Sequence, residues 1–242
     1  MRFRNRAILL TAILAVAIGP PAFGSGGAPA GQTPETEALP QGLPDGWYAR
    51  VRTSLGEFVA RLLPEQAPQS VAHFAAFADG RMTWNDPFTG EKKSGPYFDG
   101  VGVHKIARME RFEAGDWTGT GRGAPPVWVP PEITGAMAFS RPYRMGLTRA
   151  PAGRISATIF FVTATSQSFL NARHPCIGEI VLGREVVDRI VAITPRKDGK
   201  PIQTITIESV RIVKVGEPAP LQDPIPYTPP NPVLGPKEPG TP

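Results

Sequence analysis

Cysteine is almost absent from this sequence: among 242 residues only Cys176 carries a thiol. A single thiol closes no intramolecular disulfide, so whatever folds here is held by its core. Histidine is nearly as scarce. His73, His104 and His174 stand far apart, with no aspartate or glutamate at metal-ligand spacing, so no zinc site, metal or other cofactor is expected. Cys176 follows His174 by two positions and shares its strand face, yet nothing resembling an oxyanion hole accompanies the pair. A buried inert thiol is expected rather than a nucleophile. Lys and Arg do not gather with aromatics, which argues against a nucleic-acid partner. The glycines of GDWTGTGRG follow a hairpin instead of opening a helix, so they do not read as a phosphate loop.

Apolar runs long enough to cross a membrane are also missing. The longest, residues 7–18, is interrupted only by Thr11 and is too short for a permanent span. It follows Arg2, Arg4 and Arg6 and precedes the small-residue stretch Ala22-Phe23-Gly24, the arrangement of a secretory signal over residues 1–24. No cysteine stands near that cleavage site to take a lipid anchor. Losing three arginines and no acid lowers the net charge from +5 to +2, near balance. The expected mature protein is exported, periplasmic or secreted, monomeric, and without stable membrane insertion.

Proline and glycine, by contrast, are plentiful at 29 and 26 residues, and the prolines crowd the ends. Residues 25–45 carry no periodicity and read as a disordered linker. Residues 216–242 hold ten prolines and read as an extended, solvated tail. A folded domain over 46–215 remains between them.

Within that domain the periodicities are mainly those of strands. Residues 47–53 and 56–63 alternate around a Ser54-Leu55-Gly56 turn, a hairpin. After Pro64 the pattern becomes helical. Pro68 suits a first turn, Val71, Phe74, Ala75 and Ala78 share a face, and Asp79-Gly80 stops the helix. Further strands are expected at 100–106, 108–114, 145–148, 158–164 and 177–182, a second helix at 184–193 with Val186, Val187, Ile190 and Val191 inward, and a last strand at 204–215. Residues 81–96, with TGEKKSG at their centre, read as a surface loop. The pattern is mainly β: a closed antiparallel barrel capped by two α-helices, which leaves no sheet edge exposed. The stretch 97–121, YFDGVGVHKIARMERFEAGDWTGTG, places His104 and Lys105 where a buried strand would not ordinarily carry a cation.

The order of hairpin, helix, YFDG-x-x-x-HK, GDWTGTG, SATIFFVTA, FLNARH, helix and strand resembles the cyclophilin-type peptidyl-prolyl isomerases throughout 47–215. GEFVARLLPEQAPQSVAHFAAFADG is similar to that family's opening strand and helix, and ARHPCIGEIVLGREVVDRI to its closing segment. The resemblance implies an eight-stranded barrel. It implies catalysis of rotation about the bond before proline, in proline-containing unfolded or extended polypeptides, without a covalent step. The barrier to that rotation is about 18–20 kcal/mol. An exported member would assist the folding of exported proteins. The alternative is a catalytically weak or inactive peptide-binding or chaperone module.

Carried over position by position, the family's catalytic His-Arg pair falls on His104 and Lys105. Lysine can donate to a prolyl nitrogen, but as a flexible point charge instead of a rigid fork. The apolar pair that floors the family's proline pocket falls on Glu110 and Arg111, and a supporting glutamine falls on Glu113. Glu113 is therefore expected to pair with Lys105 across the hairpin, because an unpaired charge in a partly buried groove is costly. A second family glutamine falls on Ile159, which cannot hydrogen-bond a peptide backbone. Phe161, Leu170 and His174 match pocket residues, and Phe169 replaces a frequent tryptophan. MGLTRAPAGRISA places Thr148 and Arg149 along the groove. Residues 135–139 offer a second pairing for that segment.

Overall fold

The computed structural model describes residues 39–228, except 122, 124–126, 134–137, 151 and 152. The expected signal, most of the linker, most of the alternative pairing at 135–139 and the tail beyond 228 lie outside the described residues.

A hairpin opens the domain. β1 (Gly46–Thr53) and β2 (Gly56–Leu62) pair in antiparallel register from Tyr48↔Arg61 to Thr53↔Gly56. Ser54 and Leu55 make the turn, and Gly56 takes a φ of +123° that a side chain would resist. The chain then enters α1 (Pro68–Ala78) with Pro68 in the first turn, where its missing N–H costs nothing. Every residue from Gln69 to Ala78 is buried, so this helix plugs one end of the sheet instead of presenting a single apolar face. Its free N–H groups are met from a distance: Gln69 N and Ser70 N donate to the two carboxylate oxygens of Glu132 at 2.8 and 2.7 Å.

Residues 81–96 are not a bare loop, as their composition suggested. β3 (Trp84–Asn85) and β4 (Lys92–Lys93) form a two-stranded ribbon closed by the Asp86–Lys93 ion pair. Trp84 anchors it by stacking on Trp117, with centroids 5.5 Å apart. The main sheet continues through β5 (Val103–Ala107), β6 (Arg111–Ala114), β7 (Trp128–Val129), β8 (Arg144–Arg149), β9 (Ile155–Thr163), β10 (Cys176–Leu182) and β11 (Ile207–Val215). Between β10 and β11 lies α2 (Arg184–Ala192), whose buried face is Val186, Val187, Ile190 and Val191, as its spacing predicts. Gly183 leads into it at a φ of +72°, and a Cβ there would stand 2.2 Å from Glu57 O.

The eight long strands run β11-β1-β2-β10-β8-β9-β6-β5, all antiparallel, with β7 appended to β9. The sheet curls until its edges meet. Gly100 N and Val103 N donate to Ile207 O and Ile205 O, and Ile207 N donates to Val101 O, all at 2.8 Å. That stitching shortens the two edge strands relative to expectation, to start at 103 and 207. The interior is dominated by aromatics, with Phe58, Phe74, Phe98, Phe112 and Phe160 all fully buried.

Past β11 the chain does not leave the domain at once. Glu217 N donates to Asp45 Oδ2 at 3.1 Å, Trp47 Nε1 to Ala219 O at 2.8 Å, and Ile225 N to Gln69 Oε1 at 2.9 Å. Leu221 packs on the core.

Candidate active site

Register builds the site. Lys105 on β5 faces Glu113 on β6, Glu113 faces Phe161 on β9, Phe161 faces Gly146 on β8, and Gly146 faces Cys176 on β10. Directly opposed residues put their side chains on the same sheet face, so these five form one row across five strands. Arg111 and Ile159 lie two positions from Glu113 and Phe161 and share that face. A bulge between Val103 and Lys105 sets the lysine outward while Val103 and Ile106 stay in the core.

The polar end of the row is a cluster around one carboxylate. Lys105 Nζ donates to Glu113 Oε1 at 3.0 Å, the pairing expected across the hairpin. Arg111 Nε lies 3.6 Å from the same oxygen. Arg111 also reaches Gln167 Oε1 at 3.4 Å and Glu110 Oε2 at 3.7 Å, and its guanidinium sits 5.8 Å from the centroid of the exposed Phe169 ring. Met109, in the left-handed region at a φ of +62°, makes the turn that brings Glu110 and Arg111 back beside β5.

The apolar end is Phe161 with Leu170, both buried, backed by Phe139 and Cys176. The Phe161 ring lies 5.3 Å from Phe139 and meets the edge of His174 at 5.2 Å. Only glycine fits at position 146, where a Cβ would stand 2.6 Å from Phe161 and 2.7 Å from Phe139. His174 Nδ1 lies 3.0 Å from Leu147 O, so Nδ1 carries the proton and donates. Burial pushes the His174 pKa below its ordinary value, against the opposing pull of that hydrogen bond and of Glu113, and the charges of Arg111 and Arg149 push the same way as burial. The ring is therefore a neutral, oriented wall near neutral pH. Burial raises the Cys176 thiol to about 11, which makes it the inert packing group its sequence context suggests.

Not every expected residue joins the trough. Thr148 and Arg149 end β8, and Arg149 acts on His174 through its charge. Ile159 is buried beside Phe161 and offers only apolar surface. His104 stands apart from Lys105. It is buried in the bulge, with neither ring nitrogen hydrogen-bonded among the described residues, and its Nε2 is 4.0 Å from Glu113 Oε2. Burial lowers its pKa. It backs Glu113 and lines a separate cavity with Gly119, Lys200 and Thr204.

Residues that sequence reasoning passed over complete the trough. Gln167, itself buried, receives Arg111, and its N–H donates to Phe139 O at 2.7 Å. Asn171 Oδ1 accepts from Phe139 N at 2.9 Å. Both lie in the TSQSFLNA segment, where the polar side chains flanking Phe169 and Leu170 are the only signal the sequence offers. Asp116 fastens the neighbouring loop. Its carboxylate accepts from Thr118 N, Thr118 Oγ1, Gly121 N and Gly123 N at 2.7–3.1 Å. Burial would raise its pKa, but those bonds outweigh it and hold the carboxyl below the usual range.

Comparison with known proteins agrees with this geometry. The family model for cyclophilin type peptidyl-prolyl cis-trans isomerase/CLD matches residues 48–212. Peptidyl-prolyl cis-trans isomerase B of Streptomyces anulatus is 34% identical over 167 residues, covering 67% of this chain and 94% of the relative. Peptidyl-prolyl cis-trans isomerase A of Mycobacterium tuberculosis is 30% identical over 166 residues, covering 68% and 91%. A Cryptosporidium parvum cyclophilin type peptidyl-prolyl cis-trans isomerase superposes with a TM-score of 0.58 at 23% identity, over 71% of this chain and 98% of that one. A second crystal structure of that protein was determined in the presence of the dipeptide Ala-Pro. With a family model spanning most of its length and a fold to match, the chain belongs to the cyclophilin-type peptidyl-prolyl cis-trans isomerase family.

Proposed function

We propose that the trough turns over X-Pro bonds in unfolded or extended polypeptides, and that its clients are exported proteins met outside the cytoplasm. The observation that carries the reading is one sheet face on which the cations Lys105 and Arg111, joined through Glu113, neighbour Phe161, itself backed by Leu170 and His174. A prolyl ring seated on the wall puts its amide beside the cations. An N–H directed at the prolyl nitrogen favours the pyramidal nitrogen of the twisted amide over the planar resonance form, and a water-poor site strengthens that preference. No bond is made or broken, so the site needs only position and charge. The export assignment rests on the basic and apolar N-terminal stretch.

Arg111 also favours a second reading. A guanidinium in contact with Glu113, Gln167 and Phe169 occupies part of the trough, as it would in a module that binds peptides without turning them over. A protease-coupled assay on a proline peptide separates the two. Turnover that falls when Lys105 and Phe161 are replaced supports the isomerase, and saturable binding without turnover supports the module.

A further inference from the structure

The two cations of the trough are not held alike. Lys105 Nζ sits at an ordinary hydrogen-bonding distance of 3.0 Å from Glu113 Oε1. Among the described residues Arg111 has no such partner: its contacts to Gln167, Glu113 and Glu110 are 3.4, 3.6 and 3.7 Å, at or beyond the long edge of the range. A guanidinium carries five N–H donors, and three loose acceptors leave it donors to spare. Exposure points the same way. The Arg111 side chain is 17% exposed against 46% for Lys105, so water screens its charge less. It also lies over the ring of Phe169, which precedes Leu170 of the apolar wall in the chain, and its planar fork is pre-organised where a lysine would have to be held.

We infer that Arg111, not Lys105, donates to the prolyl nitrogen, so that the guanidinium has moved from β5 to β6. Arg111 is then the catalytic residue. Lys105 is a positioning residue: it neutralises and fixes Glu113, which in turn steers the Arg111 fork. This rests on the isomerase reading.

The test measures kcat and KM separately for an Ala-Pro peptide with the full chain, as wild type, Arg111→Ala, Arg111→Lys and Lys105→Ala, each checked for an unchanged melting temperature. Arg111→Ala and Arg111→Lys are expected to lower kcat by about a hundredfold with KM little changed, the loss typical of removing a positioned donor. Lys105→Ala is expected to lose less. Because Arg111→Lys keeps the charge and the fold, a loss there identifies the fork itself. An equal or greater loss in Lys105→Ala, or Arg111 variants that match or exceed wild type, overturns the assignment while leaving an active enzyme. An inactive wild type overturns the isomerase reading and this inference with it.

Discussion

Phe161 is the residue on which both halves of the site lean. Its ring touches Phe139 on one side and His174 on the other, and its strand position faces Glu113. Replacing it by alanine removes the wall for a prolyl ring and leaves a cavity. Phe161→Ala is expected to cost about 3–5 kcal/mol, read by denaturant unfolding, together with most of the turnover. Histidine supplies a second prediction at this scale. Burial lowers the pKa of His73, His104 and His174 below the ordinary 6.5. An unfolded chain then binds more protons than the folded one as pH falls through that value. The stability these groups contribute is complete above about pH 6.5 and is lost progressively toward their depressed folded values. Urea midpoints measured from pH 7.5 to 5 should therefore decline, and a midpoint that rises toward pH 5 would contradict the burial of these rings. At single positions the sequence carried much of this. The Lys105–Glu113 pair was legible because the family resemblance puts both positions on the groove and an unpaired charge there is costly; the register that realises it, with the turn at 108–110, was not. Nor was the loose ring of acceptors around Arg111, because Gln167 is 56 residues away and nothing local ties the two together.

Elements with a strong local period were legible, and those completed by distant partners were not. The β1–β2 turn and the inward face of α2 follow from spacing and glycine. The β3–β4 ribbon does not, because its two-residue strands are too short to show a period and are held by Trp84 on Trp117. Helix α1 falls between these cases. Its limits are local, but its N-terminus is capped by Glu132, some sixty residues on. A carboxylate at that end satisfies two free N–H groups and meets the positive end of the helix dipole. Glu132→Ala is accordingly expected to destabilise the domain by about 1–2 kcal/mol, comparable to losing an N-cap. Thermal melting checks this, and an unchanged melting temperature would mean that water replaces the carboxylate without loss.

For the molecule as a whole, the curled sheet is closed at one seam by residues 100–103 against 205–207 and is strapped outside by residues 217–225. Composition suggested only a solvated tail, since proline richness says nothing of Trp47 Nε1, which donates to a carbonyl of that segment, or of the buried Gln69, whose Oε1 accepts one of its amides. A chain ending at Val215 loses those bonds and should melt roughly 5 °C or more below the full chain, at about 1 kcal/mol per hydrogen bond. The fluorescence of Trp47 should shift with it. Turnover in the trough is read by exchange spectroscopy. Cross-peaks between the cis and trans forms of an Ala-Pro peptide are recorded by NMR with a small amount of the full chain, where uncatalysed exchange takes tens of seconds. The row from Lys105 to Phe161 predicts exchange that is fast in wild type and falls toward the uncatalysed rate in Phe161→Ala. Wild-type exchange no faster than that of the peptide alone would contradict it.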